Sequence, residues 1–225
     1  MRIVSTVTAL LLAALVTGFS SAASPNGEAA KSVPQILADV EAAADRAHSV
    51  HVTGSNSGGA DPFSLDLRLV AGRGGAGTID EGGLDFRIVR IGGKAYFEGA
   101  AAFWRHFTGA GGAELFEGKW IEAPATSAQF ASLTPLTSIS KFFHQVLGSH
   151  GTLIEGKQTT IRGRRALALL DETDGGTLYV AATGPPYPLE ITSPGGKGTV
   201  SFEDWNEPFQ LAPPPHPIAL ATIKG

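Results

Sequence analysis

Between Phe63 and Leu69, in "FSLDLRLVA", every second residue is apolar and the residues between are Ser, Asp and Arg. A period of two puts Phe63, Leu65, Leu67 and Leu69 on one face of a strand and Ser64, Asp66 and Arg68 on the other. The pattern returns in "LDFRIVRI", where Leu84, Phe86 and Ile88 alternate with Asp85, Arg87 and Val89. Gly92-Gly93 then leads into "KAYFEG", which carries Tyr96. Two glycines between strand-like runs are a strong hairpin signal, and hairpins joined this tightly predict an antiparallel meander with one apolar face.

A second set of runs follows: "KQTTIRGRRALALLD", "GTLYVAAT" with Leu178 and Val180, "YPLEITS" with Ile191, and "GTVSFEDW" with Val200 and Phe202. Their punctuation is Gly163, Gly175-Gly176, Pro185-Pro186 and Gly195-Gly196. With "SVHVTGS" and "GTID", the two sets give about ten or eleven strands, within the range of one sheet that curls. After Trp205 the chain meets Pro208 and then Pro213-Pro214-Pro215. Such a segment predicts an extended strap over the surface, residues 210–225, after the closing strand of the sheet.

Helical spacing appears in two places. In "SVPQILADVEAAADRAHSV", Ser32 is placed to cap and Pro34 falls in the first turn, where its missing N–H costs nothing. Val33, Ile36, Leu37, Val40, Ala44 and Ala47 form the apolar stripe of a helix ending near His48. Between the two strand sets lies a helix-rich insert. "AAFWRHFTG", with Trp104 and Phe107, predicts a short helix, and "GKWIEAPA" a brief strand. "TPLTSISKFFHQVLG" predicts a helix capped by Thr134, begun at Pro135 and ended by Gly148. Leu136, Ile139, Phe143, Val146 and Leu147 make its stripe, with Phe142 at the edge.

The chain has 225 residues, enough for one sizeable domain, and a net charge of −4. That balance lacks the basic face of a nucleic-acid binder. No cysteine is present, which excludes disulfides, thiolate catalysis and cysteine metal sites. "MRIVSTVTALLLAALVTGFSSAAS" opens on basic Arg2, runs apolar from Val7 to Val16 and ends in small residues. This is the layout of a secretory signal peptide over residues 1–23, cleaved after Ala22 or Ala23, with an uncleaved anchor as the alternative. Its apolar run is shorter than the ~20 residues of a spanning helix. The expected organisation is therefore signal 1–23, flexible lead 24–31, domain 32–209 and Pro-rich tail 210–225, in an exported protein.

No enzyme constellation stands out. There is no G-x-S-x-G elbow, and "AGRGGAG" is not followed by G-K-[ST]. The six histidines lack a ligand spacing, so surface or capping roles are expected and no metal or cofactor is. Asp204 and Asn206 are expected to bond backbone groups at the strand end. Arg162, Arg164 and Arg165 with Lys157 read as a solvated strand edge, with anionic head groups as the alternative. The aromatics of the insert suit equally a filled core and the lining of a pocket, because both need the same residue types.

The junction "RAHSVHVTGS", the hairpin "RIGGKAYFEG", "GKWIEAPA", "GTLYVAATGPPYPLEIT" and the ending "VSFEDWNEPFQLAPP" resemble the LolA-like superfamily. Within it, the chain looks closest to the actinobacterial LppX/LprG-type envelope lipoproteins. The likeness spans almost the whole mature chain, and its motifs are topological rather than catalytic. It implies an α+β fold: a strongly curved antiparallel half-barrel with helices across its concave mouth. It also implies a non-enzymatic carrier of lipid or acylated ligands. In that picture Leu65, Leu67, Leu69, Phe86, Ile88 and Tyr96 line an apolar cavity from the first meander. Trp104, Phe107, Leu136, Ile139, Phe143 and Leu147 line it from the helices, and Leu178, Val180, Ile191, Val200 and Phe202 from the second meander. Motion about the Gly-rich turns would gate entry, and peripheral contact with a membrane is compatible with the role. Such relatives usually carry a lipidated Cys, which "VTGFSSAAS" lacks. The alternative is an envelope sensor or adaptor that binds another protein; a hydrolase is a more distant one.

Overall fold

A computed structural model describes residues 24–57 and 62–220. The signal-type segment 1–23 lies outside the described residues. The chain enters through a 3-10 turn at Glu28–Ala30 and the helix α1, Val33–Arg46. A meander follows: β1 Ser49–Asn56, β2 Phe63–Val70, β3 Gly74–Glu81, β4 Leu84–Ile91 and β5 Lys94–Gly99. The insert holds α2 Ala101–Phe116, β6 Ile121–Pro124 and α3 Ile139–Leu147. The second meander is β7 Leu153–Ile161, β8 Arg164–Asp171, β9 Thr177–Ala181, β10 Pro188–Thr192 and β11 Gly198–Glu203, and β12 Ile218–Ala219 comes last.

All twelve strands belong to one open sheet in the order β12-β6-β5-β4-β3-β2-β1-β11-β10-β9-β8-β7. The two meanders meet at its centre, where β1 pairs antiparallel with β11. Register carries one apolar face across this seam: Leu69 lies opposite Val50, Leu67 opposite Val52, and Val52 opposite Phe202. On the same face Ile79 meets Phe86, Ile88 meets Phe97, and Phe97 meets Ile121. The helices cover this face.

The bend of the sheet is written into β3. Gly75 and Gly77 occupy inner-face positions opposite Leu69 and Leu67. A Cβ on Gly77 would overlap the Asp66 carbonyl oxygen, and one on Gly75 would come within 2.6 Å of Leu69 Cδ2. Glycine inside a strand marks such a close approach of backbones, and here it lets the sheet fold tightly between β2 and β4. The outer face is polar and ion-paired. His51 Nε2 contacts Asp66 Oδ1 at 2.8 Å, and Arg68 Nη1 contacts Asp204 Oδ2 at 3.2 Å.

Several expectations need revision. The sheet has twelve strands because the tail itself supplies one: β12 pairs parallel with β6, and the Ile218 N–H donates to the Trp120 carbonyl at 2.8 Å. Just before the tail, Phe209 lies under the Arg68 guanidinium, and within it Ile218–Ala219 forms a sheet edge. The helix expected from Thr134 is broken. Pro135–Thr137 forms a 3-10 turn, and Ser138, with extended backbone at φ −135°, begins α3 one residue later. The short helix expected over "AAFWRHFTG" runs to Gly109, whose φ of 78° and ψ of −175° are non-helical, and a second helical stretch follows to Phe116 within α2. Residues 24–31, expected as a flexible lead, are tied to the second meander: Asn26 Nδ2 donates to the Ala181 and Gly184 carbonyls.

Candidate functional site

The interior between helices and sheet is built from large side chains and is filled by them. At one end Phe103 stacks on Phe86 at 4.6 Å, Phe97 on Phe130 at 4.2 Å, and Trp104 meets Phe103 edge-on at 5.0 Å. At the other end Phe143 of α3 packs on Phe202 at 5.0 Å and on Trp205 at 5.3 Å. Trp205 in turn lies flat on Tyr187 at 4.2 Å. Asn206 fixes that corner: its Oδ1 accepts the His48 N–H at 2.7 Å and its Nδ2 donates to the Tyr187 hydroxyl at 2.8 Å. Trp104 is 0% exposed, Phe143 1% and Phe142 5%. Along these contacts the protein's own rings pack on one another.

Among the described residues, a notch of about 200 Å³, open to solvent, has a mainly aliphatic lining. It lies where the C-terminal turn of α3 and the middle of α1 stand over the β7–β10 end of the sheet. Leu37 comes from α1, Val146 and Leu147 from α3, Leu153 from β7, Leu178 from β9 and Ile191 from β10. Gly148 ends α3 beside the notch, its N–H donating to the His144 carbonyl at 3.1 Å. The chain then turns through Ser149 and His150, both on the rim, into β7.

The rim is polar and acidic. Asp171, at the end of β8, is buried and lines the notch, as does Asp174 from the following turn. Asp171 Oδ1 accepts the N–H groups of Thr173 and Asp174 at 2.9 and 3.0 Å, and Oδ2 accepts that of Gly151 at 2.7 Å. These donors, Asp174 and Gly151 foremost, hold its carboxyl below the ordinary carboxylate value. Thr177, Thr192 and Ser193 add hydroxyls around the opening.

No family model matches the chain, and no curated protein matches it. Solved structures do. LprF from Mycobacterium bovis superposes with a TM-score of 0.50 at 16% identity, covering 85% of this chain and 99% of that one.

The fold is that of LprF.

The lipoprotein LppX from Mycobacterium tuberculosis gives a TM-score of 0.46 at 18% identity, covering 80% of this chain and all of its own. A LolA superfamily protein from Nitrosomonas europaea gives 0.24 at 10% identity, covering 82% and 96%. The expected α+β architecture, an open curved antiparallel sheet with helices over one face, is the one found, and the resemblance read from the sequence holds at the level of fold.

The residues expected to line a cavity divide three ways. Leu147, Leu178 and Ile191 line the notch. Leu65, Leu67, Leu69, Phe86, Ile88, Trp104, Phe107, Leu136, Ile139, Phe143, Val180, Val200 and Phe202 belong to the packed interior or lie against it. Tyr96 is a correction. Alternation along β5 gives the inner position to Phe97, so Tyr96 sits on the opposite face, opposite Val89 and Glu122. Burial there raises its phenol above the ordinary value, with Glu122 adding to the shift. Asp204 also departs from expectation, pairing with Arg68 and His51 rather than with backbone. Arg162 is no solvated edge: it reaches Glu190 at 2.8 Å and Glu203 at 2.7 Å across the outer face.

Sequence reasoning missed Leu153 and the acidic rim. Leu37 and Val146 had been assigned to helix stripes, which is the signal that could have placed them here. Arg90 was missed too. It follows Phe86 and Ile88 on the inner face, opposite Gly75 and Ala95, with Nη1 at 3.5 Å from the Thr137 carbonyl. It lines a separate cleft of about 200 Å³ at the start of α3. Among the described residues, no helix is long and apolar enough to cross a membrane.

Proposed function

We propose that this is an exported, non-enzymatic lipid-binding protein of the cell envelope that holds an acyl chain of a lipid or acylated ligand at the notch between α1, α3 and the β7–β10 end of the sheet. The observation that carries this reading is the notch itself: six aliphatic side chains from five elements converge on a solvent-open concavity. Its volume of about 200 Å³ suits the end of one alkyl chain. Specific small-molecule pockets run to ~300–1,000 Å³, so a whole lipid needs more room than this. The room lies beneath α3, whose C-terminal turn forms one wall; lifting it off Phe202 extends the notch inward along the apolar face.

Each methylene buried contributes about 0.8 kcal/mol, so several are needed to offset the cost of association. The signal-type layout of residues 1–23 supports export. Organic extracts of protein purified from its native host, examined by mass spectrometry, should contain lipid at close to one mole per mole. Repeated extracts free of stoichiometric lipid would sink the carrier reading. N-terminal sequencing of the exported protein should begin at Ala23 or Ser24.

A specific observation favours a second reading. An interior packed by Trp104, Phe142 and Phe143 needs no ligand to be complete, which suits a sensor or adaptor acting through its surface. Lipid-free extracts together with a single envelope protein crosslinked in stoichiometric yield would establish that alternative.

A further inference from the structure

We infer that the notch selects its occupant by head group, admitting alkyl chains whose head is a neutral polyol or a cation and rejecting those whose head is an anion. The inference rests on the acyl-chain reading above and adds what the rim contributes to it. The apolar floor is indifferent to the head group. Selection falls to what surrounds the opening, where Asp171 and Asp174 lie on the same side. No Lys or Arg lines the notch, and the one basic side chain at the rim is His150.

Hydrogen bonding fixes the carboxylate of Asp171 and the turn that carries Asp174. Asp171 is locked in place by three backbone N–H donors that favour the ionised form, so protonation does not relieve it near neutral pH. Asp174 donates its N–H to Asp171, which fixes its backbone in the same turn, and its side chain is exposed beside the opening. An anionic head anchored by its chain in the notch is held against both carboxylates. A sugar head instead meets acceptors and the hydroxyls of Ser149, Thr177, Thr192 and Ser193. A quaternary ammonium head meets favourable charge. Like-charge repulsion across a partly solvated rim weakens with added salt, so the selection carries an ionic-strength signature.

The test uses three single-chain probes of equal length, each below its micelle concentration: decyl maltoside, decyltrimethylammonium and decanoate, titrated at pH 7.5 in low salt. Decanoate should bind at least tenfold more weakly than decyl maltoside, and the gap should shrink as salt is raised. Asp174→Asn should strengthen decanoate binding several-fold relative to the maltoside. Decanoate binding as tightly as the maltoside overturns the inference while leaving the acyl-chain reading intact, as does an Asp174→Asn ratio equal to that of the parent. Failure of all three probes to bind overturns both.

Discussion

A methyl group on Gly77 has nowhere to go, because the Asp66 carbonyl occupies its place. Gly77→Ala should therefore cost at least about 3 kcal/mol, at the upper end of overpacking penalties, read as a fall in the urea midpoint. Gly93→Ala is the control: a Cβ there meets nothing within 4 Å, and the change should stay within about 0.5 kcal/mol. Asp171 makes a prediction in pH. Its folded-state pKa is depressed, by the N–H groups of Asp174 and Gly151 first, from an ordinary value of 3.8. The stability it contributes is present above that ordinary value and is lost as pH falls through the lower folded value. Asp171→Asn should lower the urea midpoint at pH 7 and flatten that acid limb, as denaturation curves between pH 2 and 7 will show.

Among the elements, α1 shows how much a local signal can fix. Gln35 Oε1 accepts both the Ser32 N–H at 3.0 Å and the Ser32 hydroxyl at 2.9 Å, so the turn before Pro34 is held from within. Gln35→Ala should cost about 1 kcal/mol by thermal or chemical denaturation, the usual worth of an N-terminal cap. This helix was legible because cap, proline and stripe agree. The strands were legible for the same reason: period two and paired glycines fix both face and turn, as Leu65, Leu67 and Leu69 illustrate. The helix expected from Thr134 was not, since Ser138 restarts it and a Ser in that run looks like any other. The helical stretch after the Gly109 kink carries no such agreement of signals: "AGGAELF" has two glycines, and Gly112, Ala113 and Phe116 are buried there. The acidic rim was illegible for a different reason. Asp171 closes β8 and Leu37 lies in α1, and no local pattern says that residues so far apart in the chain share an opening.

For the molecule as a whole, the sequence carried the architecture and left the interior undecided. Phe, Trp and Leu are the same choice whether they line a void or fill one, and only their mutual distances tell which of them pack on one another. The seam of the sheet has a further consequence. Its central strands, β1 and β11, come from near opposite ends of the domain, so neither meander can finish its apolar face until nearly all of the chain is available. Pairings of such sequence separation form late and slow a protein's acquisition of its native state. Under the proposed export, that delay is an asset: a chain still loose can thread a translocon before it folds.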